Sequence, residues 1–311
     1  MNSMAQLKLH WFKHPPAHFT RGAVTIGNFD GVHRGHQSLI ATVVRQARAC
    51  NGPAVAVTFD PPPIALLNPA VLRPPLTTIE TRVELLHAAG ADHVVVLETD
   101  PGLLAISPEA FFEDVLCGLF EARAVVEGYN FHFGRNRAGN TATLRTMCET
   151  KGMQFEEMPA LHDTVGVISS SRVRNAILDG DVRGAAELLA RNYSLAGIVE
   201  VGQKRGRTIG FPTANLGAVG TEIPKEGVYA VRVHIGDRLE RGAMNIGPNP
   251  TFGEDAKKLE VHVLDFSGDL YGQNIDIEFV QRLRNTRAFP GIPDLMEQLQ
   301  RDVEQTRAVL G

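Results

Sequence analysis

The chain has 311 residues, of which 43% are hydrophobic and 21% charged, with a net charge of −4. That length suits two domains, each with its own core. The slightly acidic balance argues against a nucleic-acid or membrane surface, and no apolar run approaches the length of a membrane span. The three cysteines, Cys50, Cys117 and Cys148, lie far apart without the paired spacing of a disulfide framework or a zinc site. They are expected as buried free thiols in a reducing compartment. The first residues, MNSMAQLKLHWFKHPPAHF, lack the apolar stretch of a signal peptide, so a cytoplasmic location is expected.

Up to about residue 190, short apolar runs alternate with helical patterns. Strands are predicted over Ala23–Gly27, Ala54–Phe59, His93–Leu97 and Ala124–Glu127. In Gln37–Arg48, the residues Leu39, Ile40, Val43, Val44 and Ala47 fall on one helical face. Thr77 and Glu80 have the spacing of a capping box ahead of Val83, Leu85 and Leu86. Ser107-Pro108 reads as an N-cap and N1 proline leading into Phe111, Phe112, Val115 and Leu116. Such alternation predicts a parallel sheet covered by helices. After about residue 192 the period becomes two. Gly197–Val201, Val228–Ile235, Leu259–Phe266 and Ile275–Phe279 read as strands between glycine-rich turns, followed by a helix over Pro293–Leu310. This half is an antiparallel sheet or small barrel with one C-terminal helix. The change of period places the domain boundary near Arg191–Ser194, giving domains 1–191 and 192–311.

The first strand runs into Gly27-Asn28-Phe29-Asp30-Gly31-Val32-His33-Arg34-Gly35-His36. Gly27, Gly31 and Gly35 allow a tight turn and a close approach of backbone to ligand. A helix beginning near Gly35 aims free backbone N–H groups outward, which is a phosphate site. His33 and His36, three apart, can share a face and donate hydrogen bonds to a phosphorus centre that gains negative charge. The glycine spacing does not match the dinucleotide fingerprint of oxidoreductases. A second candidate phosphate element is Ile168-Ser169-Ser170-Ser171-Arg172-Val173-Arg174, opening a helix through Ile177 and Leu178. One serine serves as N-cap. Arginine in a first helical turn opposes the helix dipole unless an anion is bound, so Arg174, with Arg172, reads as a clamp on the β and γ phosphates of ATP.

In the second half, Gly202-Gln203-Lys204-Arg205-Gly206-Arg207-Thr208-Ile209-Gly210-Phe211-Pro212-Thr213-Ala214-Asn215 combines glycines, cations, a hydroxyl and an amide. It is not a Walker A loop, because Gly202 and Gly206 are one residue too close and Arg207 stands for lysine. Its glycine N–H groups, with Lys204 or Arg207, can still hold phosphates. Thr213 and Asn215, two apart on an extended chain, can supply neutral oxygens suited to Mg²⁺. In Leu259–Phe266, Glu260 and His262 fall on the face opposite Leu259, Val261 and Val263. Glu260 is the candidate base for a hydroxyl that attacks phosphate.

These segments resemble bacterial bifunctional riboflavin kinase/FMN adenylyltransferases. Gly27–His36, Thr58-Phe59-Asp60-Pro61, Gly128–Gly139 and the serine-arginine loop resemble their adenylyltransferase half, and with it the wider H-x-G-H nucleotidyltransferases. Gly206–Asn215 is similar to the G-R-x-x-G-F-P-T-A-N motif of riboflavin kinases. It is joined by Gly227–Ala230, Met244–Gly247, Pro250-Thr251-Phe252 and Leu259–His262. The resemblance implies a Rossmann-like α/β nucleotidyltransferase domain and a six-stranded antiparallel β-barrel with a C-terminal helix. It implies that Gly27, Phe29, His33, Gly35, His36, Asn130, Ser169, Ser170, Ser171 and Arg174 serve the adenylyltransferase. For the kinase it implies Gly202, Lys204, Gly206, Arg207 and Gly210 for nucleotide, Thr213 and Asn215 for metal, Glu260 for catalysis, and Arg284 and Phe289 for flavin. Riboflavin, FMN, FAD and ATP are the implied ligands and Mg²⁺ the implied cofactor. The chain departs from the family pattern at Tyr129 and His132, where an acidic and a basic residue are usual. It departs again at Asn285-Thr286, where Asp-Glu is usual. Two alternatives stand beside this reading: a riboflavin kinase whose first half only binds nucleotide, and a non-catalytic flavin-sensing regulator.

Overall fold

The computed structural model describes residues 6–202, 206, 209–249 and 254–311, with no side-chain statement for residues 6, 249 and 254–256. The chain divides into two compact units: Met1–Arg73 with Thr77–Ser169, and Pro74–Leu76 with Ser170–Gly311. Among the described residues no helix is long and apolar enough to cross a membrane.

The first unit is built on a six-stranded sheet in the order β1-β4-β3-β2-β5-β8. The strands are β1 (Gln6–His10), β2 (Ala23–Ile26), β3 (Ala54–Asp60), β4 (His93–Glu98), β5 (Ala124–Gly128) and β8 (Gln154–Met158), all pairing in parallel. A two-stranded hairpin, β6 (His132–Phe133) and β7 (Gly139–Asn140), follows β5. Helix α1 (Arg34–Ala49) follows β2. The apolar runs of the central strands are continuous because both faces are buried. Val55, Val57, Val95 and Leu97 pack against Phe111, Phe112, Val115 and Leu116 on one face. Ala54, Ala56, Val94 and Val96 meet Leu39, Ile40, Val43, Val83 and Leu86 on the other. The four predicted strands are present; β1 and β8, short and mixed in polarity, are additions.

Three local expectations change. Thr78, not Thr77, caps helix Ile79–Ala88, its hydroxyl accepting the Thr81 N–H at 3.2 Å; Thr77 is occupied by the loop after β2, as described below. Ser107 does cap at Ala110, but Phe111–Leu119 then winds as a π-helix. Of the three thiols only Cys148 is buried; Cys50 and Cys117 are half-exposed.

The second unit contains a closed barrel in the order β10-β13-β12-β11-β14-β9. Its strands are β9 (Tyr193–Glu200), β10 (Ala214–Gly217), β11 (Gly227–Ile235), β12 (Arg238–Asn249), β13 (Glu254–Val263) and β14 (Asn274–Arg284), all antiparallel. The expected barrel is therefore present. The strand predicted over 259–266 starts earlier and ends at Val263, and β10 and β12 had not been anticipated because glycine interrupts their alternation. Closure removes the exposed strand edges. Helix Ile292–Leu310 packs against β11, β12 and β14, and helix Val182–Leu189 packs on β14 and β9. In the latter, Val182, Ala185, Leu188 and Leu189 are buried.

A parallel sheet leaves backbone groups to satisfy where pairing stops. The β2–β5 register ends at Val24↔Val125. Two residues on, the Ile26 N–H donates instead to the Glu127 carboxyl at 2.8 Å. Glu127 is 2% exposed, and burial pushes its carboxyl well above the usual range, the Ile26 hydrogen bond countering only in part. A raised native pKa means that the folded chain holds the proton after the unfolded chain has released it. Stability therefore falls as pH rises from about 4.3, the unfolded-chain value, toward the native one, by about 1.4 kcal/mol per pH unit. Glu127→Gln keeps an acceptor but does not titrate. We expect the thermal midpoint of wild type, measured relative to this variant, to drop as pH rises through that window; a pH-independent difference would show that Glu127 is ionised in the native protein.

Candidate active sites

In the first sheet, β2 has β3 on one side and β5 on the other, and the chain runs outward in both directions. The carboxyl ends of β2 and β5 thus flank the topological switch point, where open α/β sheets bind ligands. Gly27–His36 leaves β2 and Gly128–Asn130 leaves β5 at this place. His33 is the N-cap of α1, its Nδ1 accepting the His36 N–H at 3.4 Å. An accepting Nδ1 leaves the His33 proton on Nε2. The two imidazoles stack with centroids 3.7 Å apart. Phe29, 2% exposed, stands edge-on to His36 at 5.2 Å, so its ring forms the floor under the second histidine. Burial, then His33, then the Arg82 charge hold the His36 imidazole well below its ordinary pKa. His36 is accordingly neutral near pH 7. Its Nδ1 is buried with no hydrogen-bond partner among the described residues.

The glycines of the motif act by size. A Cβ on Gly35 would lie 3.1 Å from the His33 ring and 3.7 Å from the Ile168 carbonyl oxygen, and one on Gly27 would meet the Phe29 ring at 3.1 Å. Gly35 thus lets the segment before Ser169 lie alongside the start of α1. Asn130 is exposed beyond β5, its carbonyl accepting from His132 Nδ1 at 2.9 Å. The structure adds residues that the motif had not indicated: Thr58, Thr77 and Arg82 line the back of the loop, and only the Thr58-Phe59-Asp60-Pro61 pattern had hinted at one of them.

Ser170, Ser171 and Arg174 open helix Ser170–Asp179 in the second unit. There the Arg174 guanidinium pairs with Glu222 at 2.5 Å, both side chains 12% exposed, and also donates to the Pro74 carbonyl. Glu222 had no sequence signal.

On the barrel, register lays a polar row across neighbouring strands. Asn215 on β10 is opposite Glu260 on β13, and Glu260 is opposite Asn245 on β12. Ala214, Leu216, Val261, Met244 and Ile246 alternate with these residues and are buried, so Asn215, Glu260 and Asn245 share the other face. Directly opposed side chains have Cβ atoms about 4.5–5.5 Å apart. Glu260 thus sits between two amides, one of which, Asn245, had been seen only as part of a motif. His262, also on this face, donates from Nδ1 to the Pro212 carbonyl at 2.7 Å and holds the loop before Thr213. A Cβ on Gly202 would overlap the Asn215 amide at 2.1 Å, and one on Gly206 would meet the Phe211 carbonyl at 2.2 Å and Thr213 Oγ1 at 3.5 Å. Gly202 therefore lies directly against Asn215, and Gly206 beside Thr213. Gly210 has φ +85°, which favours glycine. Lys204 and Arg207 lie outside the described residues, as does the Pro250-Thr251-Phe252 segment.

Arg284, at the end of β14, binds Asp302 of the C-terminal helix through two hydrogen bonds, Nε–Oδ1 2.8 Å and Nη2–Oδ2 2.6 Å. Asp302 is 1% exposed and also accepts from Gln298 Nε2 at 2.9 Å. Arg284 and Arg287 both lie over the Phe289 ring, at 5.9 and 4.9 Å. The two residues expected to meet flavin are thus side by side, with Arg284 oriented from behind by the helix.

Comparison with known proteins follows the same division. The family model for FAD synthetase matches residues 16–172, and that for riboflavin kinase matches 189–310. The bifunctional riboflavin kinase/FMN adenylyltransferase of Haemophilus influenzae is 34% identical over 287 residues, covering 92% of this chain and 93% of that one. The Escherichia coli K12 protein of the same name is 33% identical over 289 residues, with coverage of 93% and 92%. The Bacillus subtilis protein is 35% identical over 294 residues, with coverage of 92% and 91%. A crystal structure from Streptococcus pneumoniae, described as a macrolide-efflux protein, superposes with a TM-score of 0.87 at 30% identity, covering 97% of this chain and 99% of that one. With a family model matching each half and relatives of this name matching along nearly its whole length, the chain belongs to the family of bifunctional riboflavin kinase/FMN adenylyltransferases.

Proposed function

We infer that this protein makes flavin cofactors in two steps: ATP phosphorylates riboflavin to FMN, and a second ATP adenylylates FMN to FAD with release of pyrophosphate. The observation that carries this reading is the presence on one chain of a stacked histidine pair at a sheet switch point and of a carboxylate between two amides on a barrel. We propose that residues 1–191 carry adenylyl transfer and 192–311 carry the kinase. Substrates that are made and consumed with ATP, together with three free thiols, fit the cytoplasm.

For adenylyl transfer, an FMN phosphate oxygen attacks the α phosphorus of ATP and pyrophosphate leaves. No covalent intermediate on the protein is required. We assign His33 and His36 as donors to the phosphate oxygens that gain charge. A neutral His36 keeps one N–H for this purpose without a competing proton equilibrium near pH 7. The backbone at Gly27, Gly35 and Ser169 and the exposed Asn130 are assigned to the nucleotide, with Phe29 setting His36. Arg174, with Ser170 and Ser171, is proposed as the clamp on the β and γ phosphates. In that role it exchanges Glu222 for phosphate.

For the kinase, the terminal ribityl hydroxyl attacks the γ phosphorus, its proton passes to Glu260, and ADP leaves. Gly202, Gly206 and Gly210, with Lys204 and Arg207, are assigned to the nucleotide, and Arg284 and Phe289 to the flavin. Among the described residues no cluster of His, Cys, Asp and Glu could hold a metal ion. Thr213 and Asn215, against Gly206 and Gly202 where a Cβ would not fit, offer the neutral oxygens that Mg²⁺ accepts while keeping water and phosphate ligands. Bound there, Mg²⁺ would neutralise charge on the transferring phosphate. The alternative of a kinase with a merely nucleotide-binding first half is separated by product: FAD against FMN alone.

Incubation with riboflavin and MgATP followed by chromatography should yield both FMN and FAD. His33→Ala and His36→Ala should each cut FAD formation about 10²–10³-fold while FMN formation continues; a double variant that still makes FAD at the wild-type rate would remove the assignment. Glu260→Gln should lower riboflavin phosphorylation at least ~10²-fold, the low end for a general base, without affecting adenylylation of supplied FMN. Retention of more than about a tenth of the turnover, far short of that loss, would exclude Glu260 as the base. Because helix Val182–Leu189 buries its apolar side on β14 and β9, a fragment 170–311 should phosphorylate riboflavin and melt higher than 192–311. A folded, kinase-inactive 170–311 would disprove the autonomy of that site.

A further inference from the structure

The loop between β2 and α1 is strained. Phe29 has φ 47°, Gly31 82° and Val32 41°. Positive φ is unfavourable for any side chain and most so for a β-branched one such as Val32. Such a backbone persists only where its surroundings over-determine it. Phe29 and Val32, 2% and 1% exposed, are pinned into the core. From helix Ile79–Ala88, the buried Arg82, whose side chain is 7% exposed, reaches the polar side of the loop.

Each hydrogen-bond partner of that guanidinium belongs to the loop or to a residue that holds the loop. Nη2 lies 3.4 Å from Asp30 Oδ1 and 3.2 Å from the Thr77 carbonyl oxygen. Nη1 lies 3.4 Å from Thr58 Oγ1, and Nε 3.5 Å from Thr77 Oγ1. In turn, Thr58 Oγ1 donates to the Asn28 carbonyl at 3.1 Å, Thr77 Oγ1 accepts the Gly31 N–H at 3.2 Å, and the Thr77 N–H donates to Asp30 at 3.3 Å. The network therefore reaches residues 28, 30 and 31, and His33 follows directly. The helix itself needs no buried cation, since Val83 and Leu86 supply its packing. A buried charge is costly unless fully partnered, which makes its place behind this loop informative. Arg82 also favours the neutral form of His36.

We propose that Arg82 is a positioning residue for adenylyl transfer, holding Asn28–Val32 in its strained course so that His33 and His36 meet the reacting phosphates. This rests on the adenylyltransferase reading of the histidine pair. The planar fork reaches three side-chain acceptors at once, which a lysine ammonium on its flexible stem does not reproduce.

The test uses the full chain with supplied FMN and MgATP, at a temperature well below each variant's melting midpoint. Arg82→Met should lower the kcat of adenylylation about 10²-fold, the scale for a catalytic group displaced by about 1 Å, while KM for FMN and riboflavin phosphorylation stay near wild type. Arg82→Lys should recover part of the loss. Thr77→Val, which removes the hydroxyl that joins Arg82 to Gly31, should lower the same kcat with the fold retained; it decides the matter if Arg82→Met does not fold. Folded Arg82→Met or Thr77→Val with wild-type kcat, a defect confined to KM, or a fully active Arg82→Lys would overturn the proposal. If His36→Ala is inactive while Arg82→Met is wild type, only this proposal falls; if His36→Ala keeps full activity, the site reading falls as well.

Discussion

A backbone that leaves a β-strand and turns at once into a helix must satisfy its N–H and C=O groups away from the ladder. The first unit depends on how this is done at the end of β2. Glu127 takes the Ile26 N–H where β5 no longer pairs. Thr77 takes the Gly31 N–H, and Thr58 donates to the Asn28 carbonyl. Three side chains from three other elements thus replace the missing sheet partners. Because the replacements are directional, they also set the course of the loop, and the loop sets where α1 begins. His33 then caps the helix with its own Nδ1, which fixes one tautomer and stacks the second imidazole upon it. Structure and chemistry share the same hydrogen bonds here.

The barrel reaches a comparable result by other means. A closed antiparallel sheet satisfies its backbone internally, so what it offers chemistry is a regular grid of side chains. Antiparallel pairing places Asn215, Glu260 and Asn245 in line on one face, while the residues that alternate with them fill the interior. No strained turn is needed to bring the carboxylate to its neighbours. Close approach is made instead by glycine: Gly202 lies against Asn215 and Gly206 beside Thr213, and neither has room for a Cβ. The C-terminal helix contributes through polarity: Asp302, Gln298 and Thr306 are buried, and Asp302 orients Arg284 with two hydrogen bonds.

The electrostatics of the two sites differ in consequence. Around the histidine pair, burial drives two titratable groups to neutral forms: His36 below its ordinary pKa and Glu127 above. Charge is admitted only where it is paired, as for Arg82 with Asp30. On the barrel, the half-exposed Glu260 carboxylate lies in register with the amides of Asn215 and Asn245.

The sequence by itself determined the fold class of both halves and the segments that form the candidate sites. Continuous apolar runs such as Ala54–Phe59 admit only a strand buried on both faces, and the alternation around Glu260 admits only one buried face. The motifs Gly27–His36 and Gly202–Asn215 are local, because a turn and the residues it carries are adjacent in the chain. What the sequence did not hold was everything that depends on pairing across it. Thr77 has the spacing of a helix cap, yet tertiary structure gives that task to Thr78 and lends Thr77 to a loop some 46 residues away. Arg82 looks like one more surface cation on an amphipathic helix, and nothing local shows that its face is buried. Glu222 and Asp302 have no motif; each is defined by an arginine distant in sequence, Arg174 and Arg284. Asn245 gains its place beside Glu260 only through the register of β12 on β13. Local periodicity encodes which face of an element is apolar, whereas the partners of a buried polar group are chosen by packing, and packing exists only in the folded chain.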